Sequence, residues 1–275
     1  PMLPKERLIV LGGGHIALPV CEFASKCGFE VYVADDRPAF ANAPRFPWAA
    51  GVLCDSFENS IEQLKITPYD FVVVITRGHR HDADCLRAIL PGKQPAYLGM
   101  IGSKRRVRGL LDMLVEEGYD KENIERICTP IGLKIGAVTP EEIAVSILSE
   151  IIAYKRLPEK NTGHSRYVNG SDLDLEMIEY LAENHEPKAV VTVIQAKGST
   201  PRGAGAKMAV DPRGQVTGSI GGGCSEGAVI RDAVDIIGTG EYKTVFIDMT
   251  GEVAESDGMV CGGVMYALIE DGTEM

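Results

Sequence analysis

The sequence predicts an α/β protein in which a doubly wound parallel sheet is followed by a smaller α+β domain. Three observations carry that prediction. In the first half, wholly apolar runs such as Leu8–Leu11 and Phe71–Ile75 alternate with segments of helical character, the pattern of strands covered on both faces. In the second half, short strand-like segments are joined by glycine-rich turns. Between them the charge balance breaks: residues 1–165 carry 20 basic and 21 acidic side chains, whereas residues 166–275 carry 8 and 18. A polar Pro/Gly stretch at 157–163 marks the seam. The expected domains are therefore 1–157 and 171–275, with 158–170 as linker.

Taken in order, Leu8–Leu11 is the first strand, ended by Gly12, Gly13 and Gly14. A helix follows to about Cys27, and Gly28 turns the chain into a second strand, Glu30–Ala34. Phe71–Ile75 and Ala96–Gly99 are further strands, with helices near 82–90 and 104–117. Thr139 is placed to cap a helix whose first residue is Pro140, with Glu142 closing a capping box; its apolar face runs from Ile143 to Tyr154. Past the seam, Ser171-Asp172 opens a helix carrying Leu173, Met177, Ile178 and Leu181 on one face, stopped by His185-Glu186-Pro187. Strands are then expected at Val190–Gln195, Met208–Val210, Val216–Ile220, Thr244–Ile247 and Val264–Ile269, with one helix near 224–237.

Composition narrows the function. With 275 residues, 45% hydrophobic and 24% charged, the chain has the make-up of a folded protein and not of a disordered one. A net charge of -11 argues against general nucleic-acid or membrane-surface binding, which needs a basic face. No apolar run approaches the ~20 residues of a membrane span. The first residues, Pro1 to Arg7, have no hydrophobic signal region. The 7 cysteines form no C-x-x-C pair and read as reduced thiols of a cytoplasmic protein.

The chemistry-bearing segments are loops. Gly12-Gly13-Gly14-His15-Ile16-Ala17 fits G-x-G-x-x-A between a strand and a helix, and the next strand ends at Asp35-Asp36. In a Rossmann-like unit Gly12 makes the tight turn, Gly14 lets backbone approach a pyrophosphate, and Asp35 accepts from ribose hydroxyls. The ligand is NAD(P), another nucleotide or a different phosphorylated compound; alternatively the loop is packing scaffold. Two further loops fall at the carboxyl ends of strands, where such sheets bind ligands. One is Thr76–Asp84, with His79 facing a ligand; Arg77 and Arg80 speak against a metal there. The other is Gly99–Arg106, where Ser103, Lys104, Arg105 and Arg106 suit a phosphate cradle or a solvated basic helix start.

In the second half, Gly198–Met208 contains Arg202 and Lys207, and Gly218–Glu226 contains Gly221, Gly222, Gly223, Cys224 and Glu226. Three successive glycines free backbone N–H groups to face an anion. Cys224 at the following helix N-terminus is expected to have a thiol pKa below the usual ~8.5, with Arg202 and Lys207 adding positive charge and Glu226 opposing it. Cys261, beside Gly262 and Gly263, is the second candidate thiol.

Together G-G-G-H-I-A, D-D-R-P (35–38), R-F-P (45–47), G-M-I-G-S-K-R-R (99–106), P-I-G-L-K-I-G-A (130–137) and T-P-E-E-I-A-V-S-I (139–147) resemble the Rossmann half of the XdhC/CoxI family. G-S-T-P-R-G-A-G-A-K-M, S-I-G-G-G-C-S-E and C-G-G resemble that family's other half. The resemblance implies an accessory factor that binds the molybdenum (pterin) cofactor. It implies help with cofactor maturation or sulfuration and with insertion into an apo molybdenum hydroxylase such as xanthine dehydrogenase. A sulfur donor is a further implied partner, Cys224 and Cys261 are implied soft contacts to molybdenum, and a homodimer is expected. Two features depart from the family pattern. The halves stand in reversed order, and where many relatives carry a T-H-D-H-like segment this chain has Thr76-Arg77-Gly78-His79, in which His79 and Asp82 match the pattern while Arg77 replaces a histidine. The competing reading is an NAD(P)-dependent oxidoreductase, although no Tyr-x-x-x-Lys pair supports it.

Overall fold

The computed structural model describes residues 6–157, 172, 174–222, 224–249 and 262–273. The chain divides into two compact units, Pro1–Asn169 and Gly170–Met275. The expected linker, 158–170, lies outside the described residues.

The first unit is built on a five-stranded parallel sheet. Its strands are β1 (Arg7–Leu11), β2 (Glu30–Asp35), β3 (Gly51–Cys54), β4 (Phe71–Val74) and β5 (Tyr97–Met100), in the order β3-β2-β1-β4-β5. Alternate residues of each buried strand feed opposite cores, which is why β1 and β4 are apolar throughout. Leu8, Val10, Phe71 and Val73 pack under helices α1 (Ala17–Lys26) and α6 (Pro140–Arg156). Ile9, Leu11, Val72 and Val74 pack on the other face. That face is covered by α2 (Phe57–Leu64), α3 (His79–Ile89), α4 (Lys104–Glu116) and the short α5 (Lys121–Glu125). Helix α6 begins with the capping box that its sequence predicts: Thr139 accepts from the Glu142 N–H, and Glu142 accepts from the Thr139 N–H. Neither β3 nor α2 was expected. β3 is a half-buried edge strand of four residues, Gly51–Cys54, whose apolar run was passed over. Helix α3 starts at His79, three residues before the expected position, because extended Gly78 leads straight into it.

The second unit is a five-stranded antiparallel sheet in the order β8-β7-β6-β10-β9. Its strands are β6 (Ala189–Lys197), β7 (Lys207–Val210), β8 (Val216–Gly218), β9 (Tyr242–Asp248) and β10 (Val264–Asp271). One face buries Val191, Val193, Met208, Met265, Ala267 and Ile269 against Val229, Ala233 and Ile236 of α8 (Cys224–Ile236). Helix α7 (Leu175–Glu183) begins later than expected. Its cap is Asp174, whose carboxylate accepts from the N–H groups of Glu176 and Met177. Asp172, the expected opener, instead accepts from Arg202 and from the Gly203 N–H. Strand β8 stops at Gly218, short of the expected Ile220, where the backbone turns into the left-handed region at φ +78°.

Candidate functional site

The strand order of the first unit reverses direction between β1 and β4, and ligands of open parallel sheets sit at such a switch point, beyond the carboxyl ends of the strands. The loop after β1 shows why it needs glycines. Gly12 takes φ +114°, and a Cβ there would meet the Ile75 carbonyl oxygen at 2.4 Å. At Gly13 a Cβ would meet the Phe40 carbonyl oxygen at 2.2 Å. Gly14 differs: nothing lies within 4 Å of its Cβ position, and His15 beside it is exposed.

Besides α2, which follows β3, three helices begin at this edge of the sheet, α1 after β1, α3 after β4 and α4 after β5. Their N-cap residues are Ile16, Gly78 and Ser103, and none makes a side-chain capping hydrogen bond. The other four helices with described caps are each closed by their own side chain, from Ser56, Asp120, Thr139 and Asp174. The first-turn N–H groups left without a side-chain cap are thus gathered at one edge, where helix dipoles favour an anion. His79, Arg77, Arg105 and Arg106 are exposed on these same loops and helix starts, as is Ser103.

Asp35 is engaged by its own loop. Its carboxylate is 1% exposed and accepts from the Gly13 N–H at 2.8 Å and the Arg37 N–H at 3.0 Å. The Arg37 guanidinium adds bonds of 2.8 and 2.9 Å. Burial alone would push this carboxyl up, but Arg37 and the two backbone donors more than offset it and hold it below the ordinary value. Each of its oxygens thus already accepts two hydrogen bonds from within the loop. The next residue, Asp36, pairs with Arg77 across the switch point. Arg37 and Arg45 both lie against the Phe40 ring, at 3.8 and 5.1 Å, and Arg45 donates to the Gly13 carbonyl. Sequence reasoning passed over Arg37 and Arg45, although D-D-R directly after a strand was a readable signal. Asp82, buried in the first turn of α3, accepts from Thr76 at 2.5 Å and lies 3.4 Å from Arg106. Burial pushes its carboxyl up, partly opposed by Thr76 and the neighbouring cations.

In the second unit the glycine turn after β8 is filled from within. One Glu226 carboxylate oxygen accepts from the Ser219 hydroxyl at 2.7 Å, the Ile220 N–H at 3.1 Å and the Gly222 N–H at 2.8 Å. The Gly221 N–H donates to Ser219. The expected cradle for an external anion is therefore occupied by the chain's own carboxylate, because Glu226 sits early enough in α8 to fold back onto the turn. Arg202 and Lys207 are also committed elsewhere. Arg202 pairs with Asp172 at 2.7 Å. Lys207 donates to Thr192, and its burial lowers its pKa. Cys224 begins α8; its side chain, Gly223 and Cys261 lie outside the described atoms. Two other glycine segments do meet: a Cβ on Gly263 would lie 2.6 Å from the Ser199 carbonyl oxygen, and one on Gly198 would lie 3.0 Å from that of Gly262.

The thiols of Cys21 and Cys128 are pushed up by burial, to about 11 and about 12, and burial also pushes the Cys85 thiol well up, so these three are packing residues. Among the described residues no cluster of three or more His, Cys, Asp or Glu is arranged to hold a metal ion, and no helix is long and apolar enough to cross a membrane.

Comparison with known families places both units. Residues 8–151 match the XdhC Rossmann domain, and residues 181–248 match the XdhC and CoxI family. The chain belongs to the XdhC family. In this XdhC chain the Rossmann region comes first and the XdhC–CoxI region second. It is 35% identical over 153 residues to a probable xanthine dehydrogenase subunit of Bacillus subtilis (strain 168), covering 56% of this chain and 44% of that protein. It is 24% identical over 159 residues to the molybdenum cofactor insertion chaperone PaoD of Escherichia coli (strain K12), covering 58% and 43%. A crystal structure of a xanthine dehydrogenase from Bacillus halodurans aligns with a TM-score of 0.48 and 36% identity, over 55% of this chain and 44% of that one. The chain thus spans less than half the length of the curated relatives it matches.

Proposed function

We propose that this XdhC chain is a cytoplasmic accessory factor that binds the molybdenum cofactor through its pterin phosphate. In this reading it assists the cofactor's maturation or sulfuration and its insertion into a molybdenum hydroxylase such as xanthine dehydrogenase. Family membership and the PaoD relative support the general role. The observation that carries the ligand class is the gathering of three helix starts without side-chain caps beside the open Gly14. An anionic pterin phosphate suits those donors and the cations around them. Gly12 and Gly13 would shape that turn, Gly14 and His15 would flank the phosphate, and His79, Ser103 and Arg105 would line the crevice. When bound, the cofactor would supply the molybdenum and the sulfur chemistry, and the chain's residues would bind, orient and shield it.

Cys224 and Cys261 are proposed as its soft sulfur contacts, with Gly221, Gly222 and Gly223 shaping the approach and Glu226 holding the turn. A homodimer, an apo-hydroxylase client and a sulfur donor belong to the same proposal. The dinucleotide reading loses its main support, since the acid meant for the ribose is enclosed by Arg37 and Gly13.

The test is expression in a host that makes the molybdenum cofactor, followed by assay of the purified protein for pterin and molybdenum and for activation of an apo-hydroxylase. Co-purifying pterin and client activation are expected. A protein without pterin that binds NADH tightly and turns over a carbonyl substrate would overturn the proposal.

A further inference from the structure

The pairing of Asp36 with Arg77 spans the carboxyl end of the central strand. Asp36 follows β2 and Arg77 follows β4, the two neighbours of β1. The turn that continues β1 is wedged between the residues leading to each partner. Gly12 packs on Ile75 and Thr76, with its Cβ position 2.4 Å from the Ile75 oxygen and 3.0 Å from the Thr76 Cα. Gly13 packs on Asp35, its Cβ position 3.3 Å from that side chain's Cβ. The ion pair therefore joins the residues that follow the two flanks of the glycine turn at Gly12 and Gly13. It is doubly bonded, with one arm of 2.8 Å and a shorter one. Its side chains remain 31% and 37% exposed, so solvent and solutes reach it.

Asp36 faces the cations Arg77 and Arg37 and the imidazole of His81, with the carboxylate of Asp35 next to it in the chain. Arg77 holds the Asp36 carboxyl down to about 2, and His81 contributes in the same direction. Arg37 Nε, which donates to Asp35, also lies 3.9 Å from Asp36 Oδ1, so the Arg37 charge faces a carboxylate that lets go of Arg77.

We propose that Asp36 is an internal competitor for the anion site: a phosphate arriving at the Gly13–Ala17 turn takes the Arg77 guanidinium and releases Asp36 toward Arg37. Arg77 is then the residue that reads the ligand's phosphate, and Asp36 sets how good an anion must be to enter. The chemistry is that of a fork which accepts carboxylate and phosphate in the same two-bond geometry. A partly exposed pair of this kind is weak enough to be exchanged, and a phosphate brings more charge than the carboxylate it displaces. No bond is made or broken beyond hydrogen bonds. The inference rests on the reading of this crevice as an anion site, and it concerns a residue at which this chain departs from the T-H-D-H-like pattern.

The test is calorimetric binding of inorganic pyrophosphate to the full chain, Asp36→Asn, Arg77→Gln and Arg77→Lys, each checked for an unchanged melt. ADP and phosphorylated pterin run as parallel ligands to separate a nucleotide from a pterin source of the phosphate. Removing the competitor should tighten pyrophosphate binding about two- to five-fold, the strength of an exposed ion pair. Arg77→Gln should weaken it about ten-fold, with Arg77→Lys between. Equal or weaker binding by Asp36→Asn, with the unmutated chain still binding, overturns the exchange and leaves the anion site standing. Absence of binding by every variant and the unmutated chain, for all three ligands, overturns both. If Arg77→Gln fails to fold, the direction of the Asp36→Asn change decides alone.

Discussion

Replacing Asp35 by Asn tests whether this acid serves the fold or a ligand. The carboxylate takes four hydrogen bonds, two on each oxygen. The amide can keep one oxygen facing Arg37, but its NH2 must then point at the donors that Oδ2 received, the Gly13 N–H and Arg37 Nη2. Leaving a buried backbone N–H without an acceptor costs about 1–3 kcal/mol. The lost ion pair adds only about 0.5–1 kcal/mol, since Arg37 remains partly solvated. The expected loss is therefore about 1.5–4 kcal/mol, which for a unit of this size lowers its melting temperature by about 3–16 °C. Trp48, the only tryptophan in the sequence, lies in the first unit, so its fluorescence reports that unit's melt directly. The pH dependence has a definite sign. A carboxyl held below its ordinary value stabilises the fold above the unfolded pKa, and that stabilisation fades as pH falls through the folded one. The gap between the two proteins should be full at neutral pH and close progressively below about pH 4. A melt within about 1 °C of the unmutated protein at neutral pH would refute the account. A ribose-binding Asp35 would give that result, with only nucleotide affinity lost.

Glu226→Ala should destabilise the second unit by about 1–3 kcal/mol, because the N–H groups of Ile220 and Gly222 lose their acceptor. Hydrogen exchange should speed up at those two amides first; unchanged exchange there would show that the turn holds its shape without the carboxylate. Asp82→Asn should be neutral or stabilising by up to about 1 kcal/mol at neutral pH. Burial raises this acid's pKa, so its favourable contribution belongs to low pH and is lost as pH rises through the folded value. A clear loss of stability in the Asn variant at neutral pH would mean that the Arg106 and Thr76 contacts outweigh the burial.

Strands β1, β2, β4 and β5 were legible because a strand buried on both faces has no room for polar residues. Strand β3 was hidden by its place at the edge, where Gly51–Cys54 is only partly covered. Helix α6 was readable to its cap, since a capping box is local in sequence. The start of α7 was misplaced because Ser171, Asp172 and Asp174 are equally good caps on paper. Only the fold shows that Asp172 is taken by Arg202. The glycine positions of the candidate site were legible for the same local reason. What fills them was not. Asp35 and Glu226 are acids whose partners are set by three-dimensional closure, and each satisfies donors that the sequence pattern would leave for a ligand.

The position of α6 has a consequence for how the protein is made. This helix is the last element of the first unit, yet Ala144, Ile147, Leu148 and Ile151 complete the same core as Val20 and Cys21 of α1 and as alternate residues of β1. The central strand is also the first to leave the ribosome, and it gains its second neighbour only when β4 has been made. Such pairings, distant along the chain, form slowly. Until α6 emerges, that face of the sheet is covered by α1 alone, and the apolar surface that α6 will bury stays open to water and to other nascent chains, a state prone to aggregation. A stop codon just before α6 would therefore yield a chain with every strand of the sheet but one of its two cores unfinished, suited to capture by chaperones or to proteolysis.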